Sequence, residues 1–310
     1  MTVPVSQRWA RFWTPGDPGV LSPLDRLTLV YVAFTTGVVL AHLAGWRHAG
    51  LPRQLGGSML VANGLLFLAA ALAPRARCAK SRGFIAEWYA AIVLVGLYAV
   101  VGLLNDPSAG NPPSFDTVVQ GWDLRVFGEQ VSYSIPRLLP NYVVAEFLSL
   151  CYLSFYAVCI AVPAVLWARG QRAESRQAIF AILMTFFACY AIFLLFPVAG
   201  PPYFWTWAEG PAWSGPLVHA ARGVIIDGDS WGSAFPSSHV AGSMTALIFA
   251  YRYWKPLGWA LLTPVLGILL AVVYLQIHYG VDALAGLVMA GVVALIAPRL
   301  CPLEPAAAAG

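Results

Sequence analysis

Charge is scarce in this 310-residue chain: 10% of its residues are Asp, Glu, Lys or Arg, against about 25% in a soluble domain. With 59% of residues hydrophobic, an ordinary water-soluble domain is excluded and a chain built into a bilayer is implied. Lysine is nearly missing, with only Lys80 and Lys255 beside 16 Arg. These basic residues are scattered over short segments, so the net charge of +4 marks no nucleic-acid-binding face. Cysteine is sparse too. Cys151, Cys159 and Cys189 fall in apolar runs, and Cys78 and Cys301 on the expected reducing side, so no disulfide framework is indicated. There is no internal repeat and no soluble domain. The first apolar run has no small-residue cleavage site directly behind it, so it is expected to stay as an anchor rather than leave as a secretory signal.

What the chain does have is apolar runs of bilayer-crossing length. They run approximately over Leu24–Leu43, Ser58–Ala73, Phe84–Leu104, Tyr142–Trp167, Gln177–Phe196, Ser238–Tyr253, Leu257–Gln276 and Tyr279–Ala297. The fold class expected is therefore all-α, a polytopic membrane protein of about eight transmembrane helices, the second and sixth short. Residues 1–83 hold two additional helices, 84–298 a six-helix core with external loops 105–141 and 198–237, and 299–310 a cytoplasmic tail, Ala-rich and disordered from Pro305. With the N-terminus inside, thirteen of the eighteen basic residues lie on the cytoplasmic side, leaving Arg47, Arg53, Arg125, Arg137 and Arg222 outside. Both termini are then cytoplasmic. The bias to Arg, Ala, Gly and Pro suggests GC-rich codons and a bacterial plasma membrane.

Two cassettes carry chemistry. Phe235-Pro236-Ser237-Ser238-His239 opens the sixth run, and His278-Tyr279-Gly280-Val281-Asp282 opens the eighth. One crossing out and one back returns both histidines to the same, extracytoplasmic, face. Asp282 follows His278 by four residues, one helical turn, where its carboxylate can accept a hydrogen bond from the imidazole and fix its tautomer. His278 can then attack phosphorus, His239 can protonate the leaving oxygen, and the helix start at Ser237 and Ser238 can hold the anion. Ionisable groups at membrane depth are rare and usually functional.

The other polar residues read more plainly. His42 and His48 have no partnered motif and are expected to pack between helices, while His219 stays open. Glu146 reads as an interfacial cap ahead of a site member. The first external loop has Asn111-Pro112-Pro113 and then an amphipathic piece from Phe115 to Phe127. The second carries Trp205, Trp207, Trp213 and Trp231, an interfacial belt first and a headgroup lid second.

The two cassettes resemble the second and third signatures of the type 2 phosphatidic acid phosphatase superfamily. Trp122-Asp123-Leu124-Arg125-Val126-Phe127-Gly128, the helix from Leu148 to Tyr156 and the turn Gly200-Pro201-Pro202-Tyr203-Phe204-Trp205 resemble the branch with fungal inositol phosphorylceramide synthase and the sphingomyelin synthases. The likeness runs from about Asp116 to Ala297. It implies a lipid phosphatase or phosphotransferase with His278 as nucleophile, Asp282 as its partner and His239 as acid. The substrate implied is a membrane phospholipid or lipid phosphate, with an alcohol or polyol as a conceivable acceptor, no cofactor, no metal and no nucleic acid. The superfamily's first signature, a Lys and an Arg-Pro, is absent between Val198 and Ser237, and Ala271-Val272 replaces the Ser-Arg that begins the third. Phosphate charge is left to Arg222, Arg137 or backbone N–H groups.

Four other readings compete. Gly228-Asp229-Ser230-Trp231-Gly232 matches the nucleophile elbow of serine hydrolases but lacks its strand and helix. Ser243 with His278 would suit an intramembrane serine protease. His239, His278, Asp282, Asp227 and Asp229 offer metal donors without a short His-x-x-x-His spacing. A non-catalytic lipid-binding or transport protein would also place ionisable groups in the membrane, though repeat symmetry is not visible.

Overall fold

A computed structural model describes residues 21–45, 53–78, 83–92, 94–106 and 114–303. His48, the Asn111-Pro112-Pro113 segment and the Pro305–Gly310 tail lie outside them. The described residues form α1 (Pro23–Leu43), α2 (Arg53–Cys78), α3 (Gly83–Ile92), α4 (Leu94–Asn105), α5 (Asp116–Phe127), α6 (Val131–Leu138), α7 (Tyr142–Leu153), α8 (Phe155–Ala168), α9 (Arg172–Leu195), α10 (Pro216–Gly228), α11 (Ser238–Tyr253), α12 (Lys255–Tyr274) and α13 (Gly280–Leu300). Among them there is no strand, only an isolated parallel bridge between Val198 and Ser233. The all-helical expectation holds.

Five helices among the described residues are each long and apolar enough to cross a membrane: α1, α2 over Leu55–Pro74, α9, α12 and α13. α7 and α8, bent by 45° at their break, make a sixth if they form one span. The count of eight is not reached by this measure. Among the described residues the third expected run supplies α3 and α4, on either side of residue 93, and α11 has only 16 residues. α11 packs against α8, α9, α12 and α13, so neighbouring helices rather than lipid surround it and bilayer thickness does not dictate its length. The second run is longer than expected, because helix continues on both sides of Ser58–Ala73.

Local chemistry then positions the cassettes. Ser237 caps α11 by accepting the Val240 N–H, and its own N–H donates to the Asp282 carbonyl. The starts of α11 and α13 are thereby tied together. The bridge near Val198 joins the chain leaving α9 to the chain entering α11, with Ala234 N–H donating to the Val198 carbonyl at 2.8 Å. Gly200 follows at φ 99°, where a side chain is strained and a Cβ would stand 3.0 Å from the Ala234 Cβ.

The amphipathic piece expected at Phe115–Phe127 is α5, but it is more than a surface helix. Its Asp116 and Asp123, two turns apart, are fully buried. Asp116 accepts the N–H groups of Ala199 and Gly200 and the Tyr279 hydroxyl, each at 2.8 Å. Asp123 accepts the Val281 N–H at 2.8 Å. These charge-assisted bonds clamp the Gly200 turn and the second histidine cassette to one helix.

Candidate active site

His239 and His278, 39 residues apart in sequence, meet at the head of α11: His239 Nδ1 lies 3.3 Å from His278 Nε2. The break between α7 and α8 brings Phe155 and Tyr152 against the His239 ring, at centroid distances of 4.5 and 5.1 Å. His278 is buried in the link between α12 and α13. Its Nδ1 hydrogen-bonds the Ala234 carbonyl at 2.8 Å. A carbonyl only accepts, so Nδ1 carries the proton and Nε2 presents its lone pair toward His239.

The expected hydrogen bond from this imidazole to Asp282 is not the one formed. Asp282 Oδ2 stands 3.6 Å from Nδ1 and instead accepts the Tyr279 N–H at 2.8 Å. Four-residue spacing brings the two side chains near each other, but the carboxylate caps its own helix and the Ala234 carbonyl takes the imidazole proton. Asp282 remains a buried carboxyl group beside the ring.

A cavity of about 290 Å³ opens at the pair. Ser238, His239 and His278 line it, while Ser237 is buried under it, its polar groups committed to the helix cap. Neither arginine proposed for phosphate lines the cavity. Arg137 lies over the Tyr133 ring at 3.9 Å and donates to the Thr206 and Tyr133 carbonyls. Arg222 donates to the Ala208 carbonyl at 2.7 Å and sits 5.0 Å over Trp207. Among the described residues no Lys or Arg lines the cavity.

The sequence offered Asp229 only as one of five metal donors, whereas its place is on the cavity wall. Asp229, just beyond α10, faces the cavity with Tyr98 and Ser233. Its carboxylate accepts from the Tyr203 hydroxyl at 3.0 Å, the Tyr98 hydroxyl at 3.3 Å and Ser233 Oγ at 3.5 Å. Although open to the cavity, it is surrounded by protein, which raises its carboxyl above the usual range against the opposing pull of Tyr203 and His278. The same burial lowers His278 to about 4, partly offset by the bond to Ala234 and the charge of Asp229. His278 is therefore neutral at neutral pH, as a nucleophile must be. Asp229 also falls in the Gly228–Gly232 pattern, whose serine is Ser230.

That serine is no nucleophile: Ser230 Oγ, buried, donates to the Tyr98 carbonyl at 2.9 Å. Ser243 likewise gives its hydroxyl to the His239 carbonyl of its own helix. Among the described residues no group of three or more His, Cys, Asp or Glu stands where it could hold a metal ion. His42 is buried with Nδ1 2.9 Å from the Val38 carbonyl, the packing role expected. His219 is exposed away from the cavity. Glu146 caps α10, accepting the N–H groups of Leu217 and Val218. Trp213 and Trp205 pack on Tyr274 and Tyr279, inside the protein rather than as a bare belt.

No curated protein matches the chain, and no solved structure does either. A family model does match, over residues 127–296, more than half of the 310 residues, and this stretch contains both histidine cassettes. The chain belongs to the PAP2 superfamily.

Proposed function

We propose that this protein is a membrane lipid phosphatase or phosphotransferase that works through a phosphohistidine at His278, within the branch resembling inositol phosphorylceramide synthase. The observation that carries the reading is the His278 imidazole, held by the Ala234 carbonyl with Nε2 aimed at His239 Nδ1, 3.3 Å away at a cavity mouth. The incoming phosphate parts the two rings and its negative charge favours a proton on His239. Nε2 attacks, the P–N bond forms as the P–O bond to the leaving alcohol breaks, and the protonated His239 gives its proton to the departing oxygen. Water or an acceptor alcohol then attacks phosphorus, returning its proton to His239 and freeing His278. The Asp282 carboxyl group, buried 3.6 Å from His278 Nδ1, lies beside the positive charge that develops on the ring. With Arg137 and Arg222 away from the cavity, the N–H groups of Ser238 and His239 at the head of α11, unbonded among the described residues, are the donors for phosphate charge.

A lipid substrate is supported by the cavity's shape. Its wall descends α9 from Tyr190 to Ile179, eleven residues or about 16 Å. That is about half the ~30 Å hydrocarbon core, the depth of one leaflet. Its deep walls, with Ile182, Leu183, Phe186 and Ile160, are apolar and suit an acyl chain.

The test is turnover of phosphorus-labelled phospholipids and phosphatidic acid by the purified protein in EDTA. Phosphate release or headgroup transfer is expected, lost in His278→Ala. Bound lipid without turnover across the donor panel would turn the reading over to a lipid-binding or transport protein. Sidedness, proposed as extracytoplasmic, is tested in intact cells: with the native cysteines replaced, Ser214→Cys should react with an impermeant maleimide and Arg172→Cys should not.

A further inference from the structure

Asp229 takes no part in the reaction just derived, yet it shares the cavity with both histidines. Its placement is built rather than incidental. Ser230 is pinned to α4 through its N–H to the Tyr98 hydroxyl at 3.3 Å and its Oγ to the Tyr98 carbonyl. Gly102 of α4 admits this approach, since a Cβ there would stand 3.0 Å from the Ser230 Cα. Tyr98 thereby delivers its hydroxyl to both Asp229 and Ser233, the latter at 2.8 Å. α4 lies outside the family match, and the cradle ties it to the matched region.

The charge of the cavity limits what the cradle can hold. A carboxylate offers only acceptors, and among the described residues the lining has no Lys or Arg to neutralise it, so the phosphate anion is repelled and belongs at the head of α11. The partner must bring a donor. The Oδ2 atom has a firm bond from Tyr203 at 3.0 Å, but both contacts to Oδ1 are long, 3.3 and 3.5 Å. An incoming hydroxyl can take that lone pair at better distance. The tyrosines direct hydroxyls, not ring faces, at the carboxylate, which suits a neutral hydroxyl ahead of an ammonium group.

Resting on the phosphohistidine reading, we propose that Asp229, with Tyr98, Tyr203 and Ser233, binds a hydroxyl of an alcohol acceptor beside the histidine pair, so that the protein transfers its phosphoryl group to an alcohol in preference to water. In that step the acceptor oxygen bonds phosphorus as the P–N bond of His278 breaks, and the acceptor proton returns to His239. Asp229 orients the acceptor and keeps no proton.

The experiment follows the partition of the intermediate. Phosphorus-labelled phosphatidic acid is the donor and glycerol or choline the acceptor, with donor loss in the first turnover and the ratio of transfer to hydrolysis both recorded. Asp229→Asn should lower the glycerol transfer ratio by at least about tenfold, since a carboxylate acceptor is lost at a hydroxyl-binding site. First-turnover donor loss should stay within about twofold. Ser233→Ala, a milder change in the same cradle, should move the ratio in the same direction. Parallel loss of both steps, an unchanged ratio, or a loss confined to choline would overturn the proposal. Wild-type protein that labels His278 but transfers only to water also overturns it while sparing the phosphohistidine reading. Failure to label His278 would sink both.

Discussion

The cavity wall and the arginines off it are of opposite chemistry. Among the described residues the wall holds both histidines, one carboxylate and a cluster of tyrosines, and no Lys or Arg. Arg137 and Arg222 stand outside that lining, each fastened to a carbonyl and an aromatic ring: Arg137 on Tyr133, Arg222 on Trp207. Free guanidinium groups would suit a phosphate clamp, but these two tie helices to the segment that carries Thr206 and Ala208. The candidate reactive groups sit on the wall, and the arginines serve the architecture off it.

The largest effect expected from that division is a contrast between variants. His278→Ala should reduce turnover by at least about a thousandfold, whereas Arg222→Ala and Arg137→Ala should each stay within about tenfold per folded molecule. Comparable losses from the arginine variants would move phosphate binding back to the arginines. Within the wall, His239→Ala should cost about 10²- to 10⁴-fold on a lipid alcohol leaving group and far less on a p-nitrophenyl ester, whose leaving oxygen needs little protonation. Equal losses on both substrates would remove His239 from the acid's role.

How much of this was legible beforehand follows from what each feature depends on. The spans and the two cassettes were readable because hydropathy and short spacing are local properties. His239 and His278 were paired from two crossings of the right length, and the structure brings them to 3.3 Å. The partner of the imidazole proton was misread, since spacing places Asp282 nearby but cannot show that the Ala234 carbonyl, 44 residues away, is nearer. Asp116, Asp123 and Asp229 work through backbone and hydroxyl donors from distant segments, and no periodicity announces such contacts. The arginines were nominated by sidedness alone, and a long flexible side chain can end on the wall or off it.

The pH profile sharpens the same contrast more gently. Burial lowers His278 from 6.5 to about 4, and the nucleophile is lost only when protonated, so the acid limb of kcat/KM in the free enzyme should fall near pH 4 rather than near 6.5. A limb at the ordinary histidine value would mean that His278 is open to water in the working protein. The smallest effect belongs to a residue off the cavity wall. Glu146→Ala removes the cap of α10 and should lower stability by about 1 kcal/mol, read as a modest fall in Tm, with turnover per folded molecule unchanged.

The central claim is that phosphorus is carried on His278, and the direct measurement is to quench the protein in alkali during turnover of phosphorus-labelled phosphatidic acid and map the label by mass spectrometry. Acid-labile, alkali-stable phosphate on His278 in wild type, accumulating further with His239→Ala and a p-nitrophenyl phosphate donor, is the result predicted. Continued turnover with no label on His278, or label on a serine, would contradict it.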